Sequence, residues 1–304
     1  MRYSVAVRRL LLLAFVWGWS FLFIKVGVEG MTPTAVAAAR ITLGALALQL
    51  VLRLRKTPLP TDRTFWRHAA VTAVLANIIP FTLLAWGEER ITSALTAVLN
   101  ASTPLFTVLA GGLLLKDRVG KREIAGLALG MVGVAVAAGV GGSDFADSSV
   151  WGSAAAVGAG AGYGAALAYT KKHLLGVPAE IAATGQLTAG AVMLLPVAAL
   201  TTATEGIDLE PHRVLAIVLL GAVGTGFAYL LYYRSVAELG PTTTSLVTYL
   251  IPPIAVVVGV VALDETFHWR VVFGGALIVA GIAIVQDRLR WPGRRAPVPA
   301  ATGG

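Results

Sequence analysis

The sequence has no cysteine, only four histidines and little charge: Asp, Glu, Lys and Arg make up 13% of its 304 residues. Without cysteine there is no disulfide framework, no thiolate metal site and no cysteine nucleophile. A soluble domain usually carries about 25% charged residues, so this chain lacks the surface for an ordinary water-facing fold. Sixteen acidic residues against 34 glycines also leave too little charge to keep it solvated and disordered. The phosphate-binding pattern GxxxxGK[ST] is missing, which argues against ATP as a driving force in this chain. His68, His173, His212 and His268 fall at the ends of apolar runs without metal-ligand spacing. Asp144 and Asp147 form the one close aspartate pair, on a Gly/Ser stretch with nothing catalytic nearby. No metal, no cofactor and no enzymatic activity is expected.

What the chain does have is apolar residues, 57% of the total, gathered in long runs, with a mean hydropathy of +0.78. A spanning helix needs about 20 such residues, because its backbone must satisfy its own hydrogen bonds in hydrocarbon. Ten charge-poor runs meet that length, at 9–28, 33–52, 67–87, 91–115, 122–141, 150–170, 179–202, 213–234, 240–263 and 270–287. The expected fold class is therefore an all-α membrane protein of ten transmembrane helices. Arg2, Arg8 and Arg9 ahead of the first run give it the look of a signal peptide. A counterpart later in the chain, described below, argues that it is retained.

The net charge of +8 sits between the runs, as basic loops beside an anionic leaflet, and not in a patch suited to nucleic acid. Nineteen of the 24 Lys and Arg fall in connections on one side. The other side has Lys25, Arg90, Arg213 and Arg270, and Arg40 lies within a run. Both termini are thus expected in the cytoplasm of a multi-pass inner (plasma) membrane protein. Residues 288–304 form a basic, then Pro/Ala/Gly-rich tail, expected to be disordered.

The two halves match each other. An offset of 148 pairs Asn77 with Thr225, Phe81 with Tyr229, Asn100 with Thr248, Pro104 with Pro252, Asp117 with Glu265, Gly126 with Gly274 and Gly133 with Gly281. An offset of 146 pairs Trp17-Gly18 with Tyr163-Gly164. Five helices per half is an odd number, so the second half enters the membrane from the opposite side. Inverted repeats of this kind are a transporter layout, with the solute site near the midplane between the halves.

The stretches VWGWSFLFIK at 16–25, PTAVAAAR at 33–40 and ALTAVLNASTPLFTVLAGGLLLKD at 94–117 carry a resemblance to a known family. So do TTSLVTYLIPPIAVVVGVVALDE at 243–265 and FGGALIVAGIAIV at 273–285. Together they resemble the paired EamA-type domains of the drug/metabolite transporter superfamily, ten-helix exporters of small molecules. The resemblance covers nearly all of residues 10–287 and sets the two repeats at 9–141 and 150–287. It departs at Asp117, where the family usually has Glu, and at Gly185-Gln186, where the first half has its Arg. It implies export of amino acids, related metabolites or drugs.

Several residues are candidates for contact with a solute. Arg40 is a charge deep in an apolar run, so it should face the bundle interior or water. Its planar fork suits a carboxylate, and helix-end carbonyls or Glu88 and Glu89 are the structural alternative. Trp17 and Tyr163 are repeat partners; with Trp86 and Tyr229 they would line a central cavity, and a buried indole or phenol wants a hydrogen-bond partner. Asn77, Asn100, Thr103, Gln186 and Thr248 add uncharged polar groups, whose competing role is hydrogen bonding between helices. Pro104 and Pro252 form a matched pair of expected helix breaks, gating points or static kinks. Pro80, Pro196 and Pro253 also interrupt runs. Gly126, Gly130 and Gly133, Gly158 and Gly162, Gly160 and Gly164, and Gly274 and Gly281 are expected to let helices approach closely.

No run holds a mid-membrane acid, so a carboxylate proton relay is not expected unless Glu88 or Glu89 faces the cavity. The leading reading is a secondary transporter exporting small solutes, surrounded by membrane lipids, as a monomer or homodimer. The competing readings are a membrane-embedded transferase acting on lipid or prenyl substrates, a non-transporting scaffold, and an importer of the same fold.

Overall fold

The computed structural model describes residues 2–117, 119–140, 147–244 and 246–286. Asp144 and the tail at 288–304, with Trp291, lie outside the described residues. Every regular element among the described residues is a helix.

The first half contains α1 (Arg2–Val28), α2 (Pro33–Leu54), α3 (Arg63–Ala73), α4 (Ile79–Glu88), α5 (Ser93–Asn100), α6 (Thr103–Leu114) and α7 (Lys121–Ala138). A π-helical segment, Val74–Ile78, joins α3 to α4. The second half contains α8 (Asp147–His173), α9 (Ala179–Glu205), α10 (Pro211–Val218), α11 (Ala228–Thr244), α12 (Val247–Ala262) and α13 (Trp269–Val285). A second π-helical segment, Leu219–Phe227, joins α10 to α11.

Among the described residues six helical spans are long and apolar enough to cross a membrane: Val7–Val28, Pro33–Leu54, Arg63–Glu88, Ser93–Leu114, Ala179–Glu205 and Pro211–Leu239. Helices α12 and α13 are apolar but shorter. Helix α7 opens on Lys121, Arg122 and Glu123, and α8 is built largely on Ala and Gly.

Local chemistry sets the helix starts. The side-chain oxygens of Thr32, Asp62 and Thr92 accept from the backbone N–H of Ala35, Phe65 and Leu95 at 3.2, 2.8 and 3.2 Å. Each satisfies a donor that the first helical turn leaves unpaired, a contribution of about 1 kcal/mol. Pro33 then sits where its missing N–H costs nothing.

The expected breaks are corrected in part. The run 91–115 does break, at Ala101 and Ser102, and Pro104 lies in the first turn of α6. Pro252 is different: with Pro253 it lies inside a continuous α12, and the interruption in that run comes earlier, between α11 and α12. Pro196 likewise sits inside an unbroken α9. Pro80 follows the first π segment, where the Ile79 N–H reaches back five residues to the Val74 carbonyl.

Helix pairing runs across the chain. Helix α7 packs on α13, α2 on α9 and on the second π segment, α6 on α8, and α1 on α12. The α7–α13 pair meets along its glycines. A Cβ on Gly126 would stand 2.6 Å from the Gly281 carbonyl oxygen, and one on Gly274 would stand 2.4 Å from the Ala137 nitrogen. No side chain fits there, so these positions require glycine.

Helices α6 and α12 end alike. Lys116 and Asp264 adopt φ of 59° and 52°, a left-handed conformation uncommon for a residue with a Cβ. The next N–H, of Asp117 or Glu265, returns to the carbonyl of Gly111 or Gly259 at 3.2 or 3.1 Å.

Candidate functional site

Five of the residues singled out from the sequence come together where α2, the two π segments, α8, α9 and α11 converge. Arg40 of α2 is buried at 7% exposure. Its Nε donates to Thr225 Oγ1 at 2.9 Å, and its guanidinium carbon lies 3.8 Å from the centroid of the Phe81 ring. The hydrogen bond fixes the plane of the fork, and the ring face offers a desolvated cation–π contact of about 2 kcal/mol. Tyr163 and Tyr229 are the phenols nearest that charge.

Asn77, fully buried, donates through Nδ2 to the Tyr229 hydroxyl at 3.4 Å, and its Oδ1 has no hydrogen-bond partner. Gln186 of α9 lies close enough to Tyr229 to influence its hydroxyl. An acceptor without a partner inside a protein is costly to leave, and here it stands beside the Tyr229 phenol. A solute with a donor and a carboxylate fits that set.

The π segments explain how these groups reach one place. A π turn widens the helix and is frequent at functional sites. Asn77 lies in the first segment and Thr225 in the second. Thr225 Oγ1 also donates to the Leu220 carbonyl at 3.2 Å, which secures the wide turn. Gly44 of α2 meets Thr225 with no room for a Cβ, which would lie 2.7 Å from Cγ2. That close approach carries Arg40, one turn earlier, onto Thr225.

The remaining candidates lie elsewhere. Trp17 packs on Tyr232, with centroids 5.8 Å apart. From there an aromatic row runs through Tyr233 to Tyr229, at 5.6 and 6.0 Å, so Trp17 meets the cluster only through tyrosines. Trp86 is covered by the Arg90 guanidinium, 3.7 Å from its ring, at the end of α4. Thr103 donates to the Asn100 carbonyl at 2.8 Å at the α5–α6 break, which faces Gly160 of α8. Thr248 and Pro252 belong to α12.

Three features were not expected. Tyr233 extends the row one turn beyond Tyr229, a spacing visible in the sequence. His68 and His173, taken there as scattered, stack at 4.8 Å, and His68 Nδ1 lies 2.8 Å from the Tyr169 hydroxyl. Glu88, at the end of an apolar run, is fully buried. Two open depressions lie apart from the Arg40 cluster. One is apolar, between Phe15, Trp19, Phe23 and Val223. The other is acidic, with Glu29, Glu89, Glu205 and Asp208.

A membrane-length helical bundle with a buried polar cluster is the architecture of a membrane transporter, and comparison with known proteins gives the family. The EamA-like transporter family matches the chain twice, over residues 6–139 and 150–286, and the chain belongs to that family. It is 30% identical to a protein of Streptantibioticus cattleyicolor named as a probable terminal-alkyne amino-acid exporter, over 98% of this chain and 99% of that one. It is 24% identical to the inner membrane transporter YedA of Escherichia coli, over 95% and 94%. A crystal structure of another protein, 20% identical, superimposes with a TM-score of 0.62 over 94% of this chain and 99% of that one.

Proposed function

We propose that this protein is a secondary transporter that exports amino acids or closely related metabolites. It works by alternating access through a central cavity between two inverted five-helix repeats, residues 9–141 and 150–287, in the inner (plasma) membrane with both termini cytoplasmic. The observation that carries this reading is the cluster of buried Arg40 and Asn77 with half-buried Tyr163, Gln186 and Tyr229. A cation fixed by Thr225 and Phe81 can hold a carboxylate, and the amide and phenol groups can hold an amino group.

The repeat reading has its own support. Packing of α6 on α8 corresponds to packing of α12 on α1, as an exchange of halves requires. Gly126 meets Gly281, and Gly133 meets Gly274, so repeat partners make reciprocal contacts. The π segments fall at the same place in each half, as do the turns at Lys116 and Asp264. Swapping the conformations of two such halves exchanges inward and outward access. The exporter relative supports a terminal-alkyne amino acid as the first probe.

The test is transport of radiolabelled propargylglycine, a small terminal-alkyne amino acid, in proteoliposomes. Saturable release from loaded vesicles, absent from empty ones, is the expected result. Uptake without release in oriented vesicles would make the protein an importer. No saturable flux of any amino acid would remove the reading.

A further inference from the structure

Glu88 is the one carboxyl among the described residues whose two oxygens are both buried without a hydrogen-bond partner. An ionised carboxylate in that state is among the costliest groups a protein can hold. It is not there for helix capping: it lies at the C-terminal end of α4, where the helix dipole disfavours negative charge.

The charged groups around it come from several elements. Lys25 of α1 lies beside it, but the ammonium donates to the Glu88 backbone carbonyl, and at 3.4 Å to that of Ile91. Lys25 therefore satisfies the helix end and not the carboxyl. Arg40 of α2 is within electrostatic range but bound to Thr225 and Phe81. Glu265, from the turn after α12, accepts from the N–H groups of Ser93 and Ala94 at 2.6 and 3.1 Å. Glu89 pairs with Arg90 at 2.7 Å on Glu88's own turn. On α8, Gly152 and Ala155 pack on the adjoining Gly87 and carry no charge. Every neighbouring charge has another partner, and Glu88 has none.

We propose that Glu88 is a proton-carrying site of the transport cycle, neutral in the conformation described here and ionised when Lys25 leaves the helix-end carbonyls to pair with it. The step is a plain proton exchange: the Glu88 carboxyl gives its proton to water at whichever face has opened, and the Lys25 ammonium keeps its own. Solute movement is thereby tied to a proton, through a residue within electrostatic range of Arg40 but outside the groups that hold the solute. This inference rests on the transport reading above, and one arm of its test does not.

The first arm is infrared difference spectroscopy of the protein in lipid, titrated from acid to alkaline buffer. Wild type is expected to show a protonated-carboxyl band that titrates reversibly and is lost in Glu88→Gln. In Glu88→Asp the band should shift in position. A band unchanged in Glu88→Gln would overturn the proposal whatever the protein transports. The second arm uses propargylglycine in proteoliposomes. A pH gradient should drive accumulation by wild type, while Glu88→Gln keeps solute counterflow but no longer accumulates, with Glu88→Asp restoring part of it. Accumulation by Glu88→Gln equal to wild type, or wild-type counterflow indifferent to the gradient, would overturn the coupling. If wild type moves no amino acid, the transport reading fails, and the infrared titration still decides whether Glu88 exchanges a proton. Elution profile and helicity in detergent establish that each variant is folded.

Discussion

Arg40 has its guanidinium plane set by two unlike neighbours, a hydroxyl at Nε and a ring beneath it. Lysine can reproduce the charge but neither the planar fork nor its orientation. For a solute held by its carboxylate, Arg40→Gln should cost about 1.5–3 kcal/mol, roughly 10- to 150-fold in affinity. Arg40→Lys should recover little. The amide of the same solute should bind wild type and Arg40→Gln alike, and equilibrium binding at matched folded protein measures both. Equal losses for acid and amide would make Arg40 a packing residue. Thr225→Val removes the bond to Nε without changing volume much, and should weaken acid binding in the same direction by less. Arg40, Asn77, Gln186 and Tyr229 were legible in the sequence because polar groups within apolar runs are expensive and must converge on something. Glu88 was not. It ends its run beside Glu89 and Arg90, where charges ordinarily meet water, and burial there depends on how α1 and α8 cover that turn.

Elements were legible to different degrees. Hydropathy and length marked the helical runs, and small residues three or four apart marked faces of close approach without naming their partners. Proline was a poorer guide. At the α5–α6 break the Thr103 hydroxyl supplies the Asn100 carbonyl with the donor that Pro104 cannot, and Ser102 Oγ donates to the Leu99 carbonyl at 2.6 Å. The break is thus held by two side chains, whereas α12 runs on through Pro252. Pro104→Ala is accordingly expected to slow turnover while changing solute affinity less, and Thr103→Val added to it should have the larger effect. Pro252→Ala should be milder than either. Single-turnover exchange separated from equilibrium binding checks this, and equal effects at both prolines would contradict it. The π segments were not legible at all, since a wide turn depends on contacts such as Gly44 against Thr225 that no local pattern encodes. In the glycine contact, Gly133→Leu forces a side chain into backbone 2.6 Å away. Overpacking typically costs about 1–3 kcal/mol, and the thermal midpoint in detergent should fall.

At the scale of the whole molecule, the charge asymmetry predicts which connections face the cytoplasm. Gly176 and Gly206 lie in two successive connections and have open space around them, so either tolerates an inserted reporter. A reporter active only in the cytoplasm is expected to work at Gly176 and fail at Gly206. The reverse pattern would overturn the orientation read from the basic loops, and activity at both would remove α9 (Ala179–Glu205) as a span. The helical class and the family were legible because the apolar runs and the matching stretches extend through nearly the whole chain. Which helices touch was not, since apolar faces in lipid carry little information about partners.

The α7–α13 contact also bears on how the protein is made. Helix α7 begins at Lys121 and its partner at Trp269. At ordinary synthesis rates of 5–20 residues per second, α7 waits roughly 7–30 s for the surface it needs. During that interval the first half sits in the bilayer with its glycine face unclaimed, and α1 waits in the same way for α12. The first half made alone should therefore be cleared by quality-control proteases. Residues 1–140 and 141–304 produced as separate chains in one cell should protect each other and co-purify. The ribosome, and not only the bilayer, then sets when this molecule becomes whole.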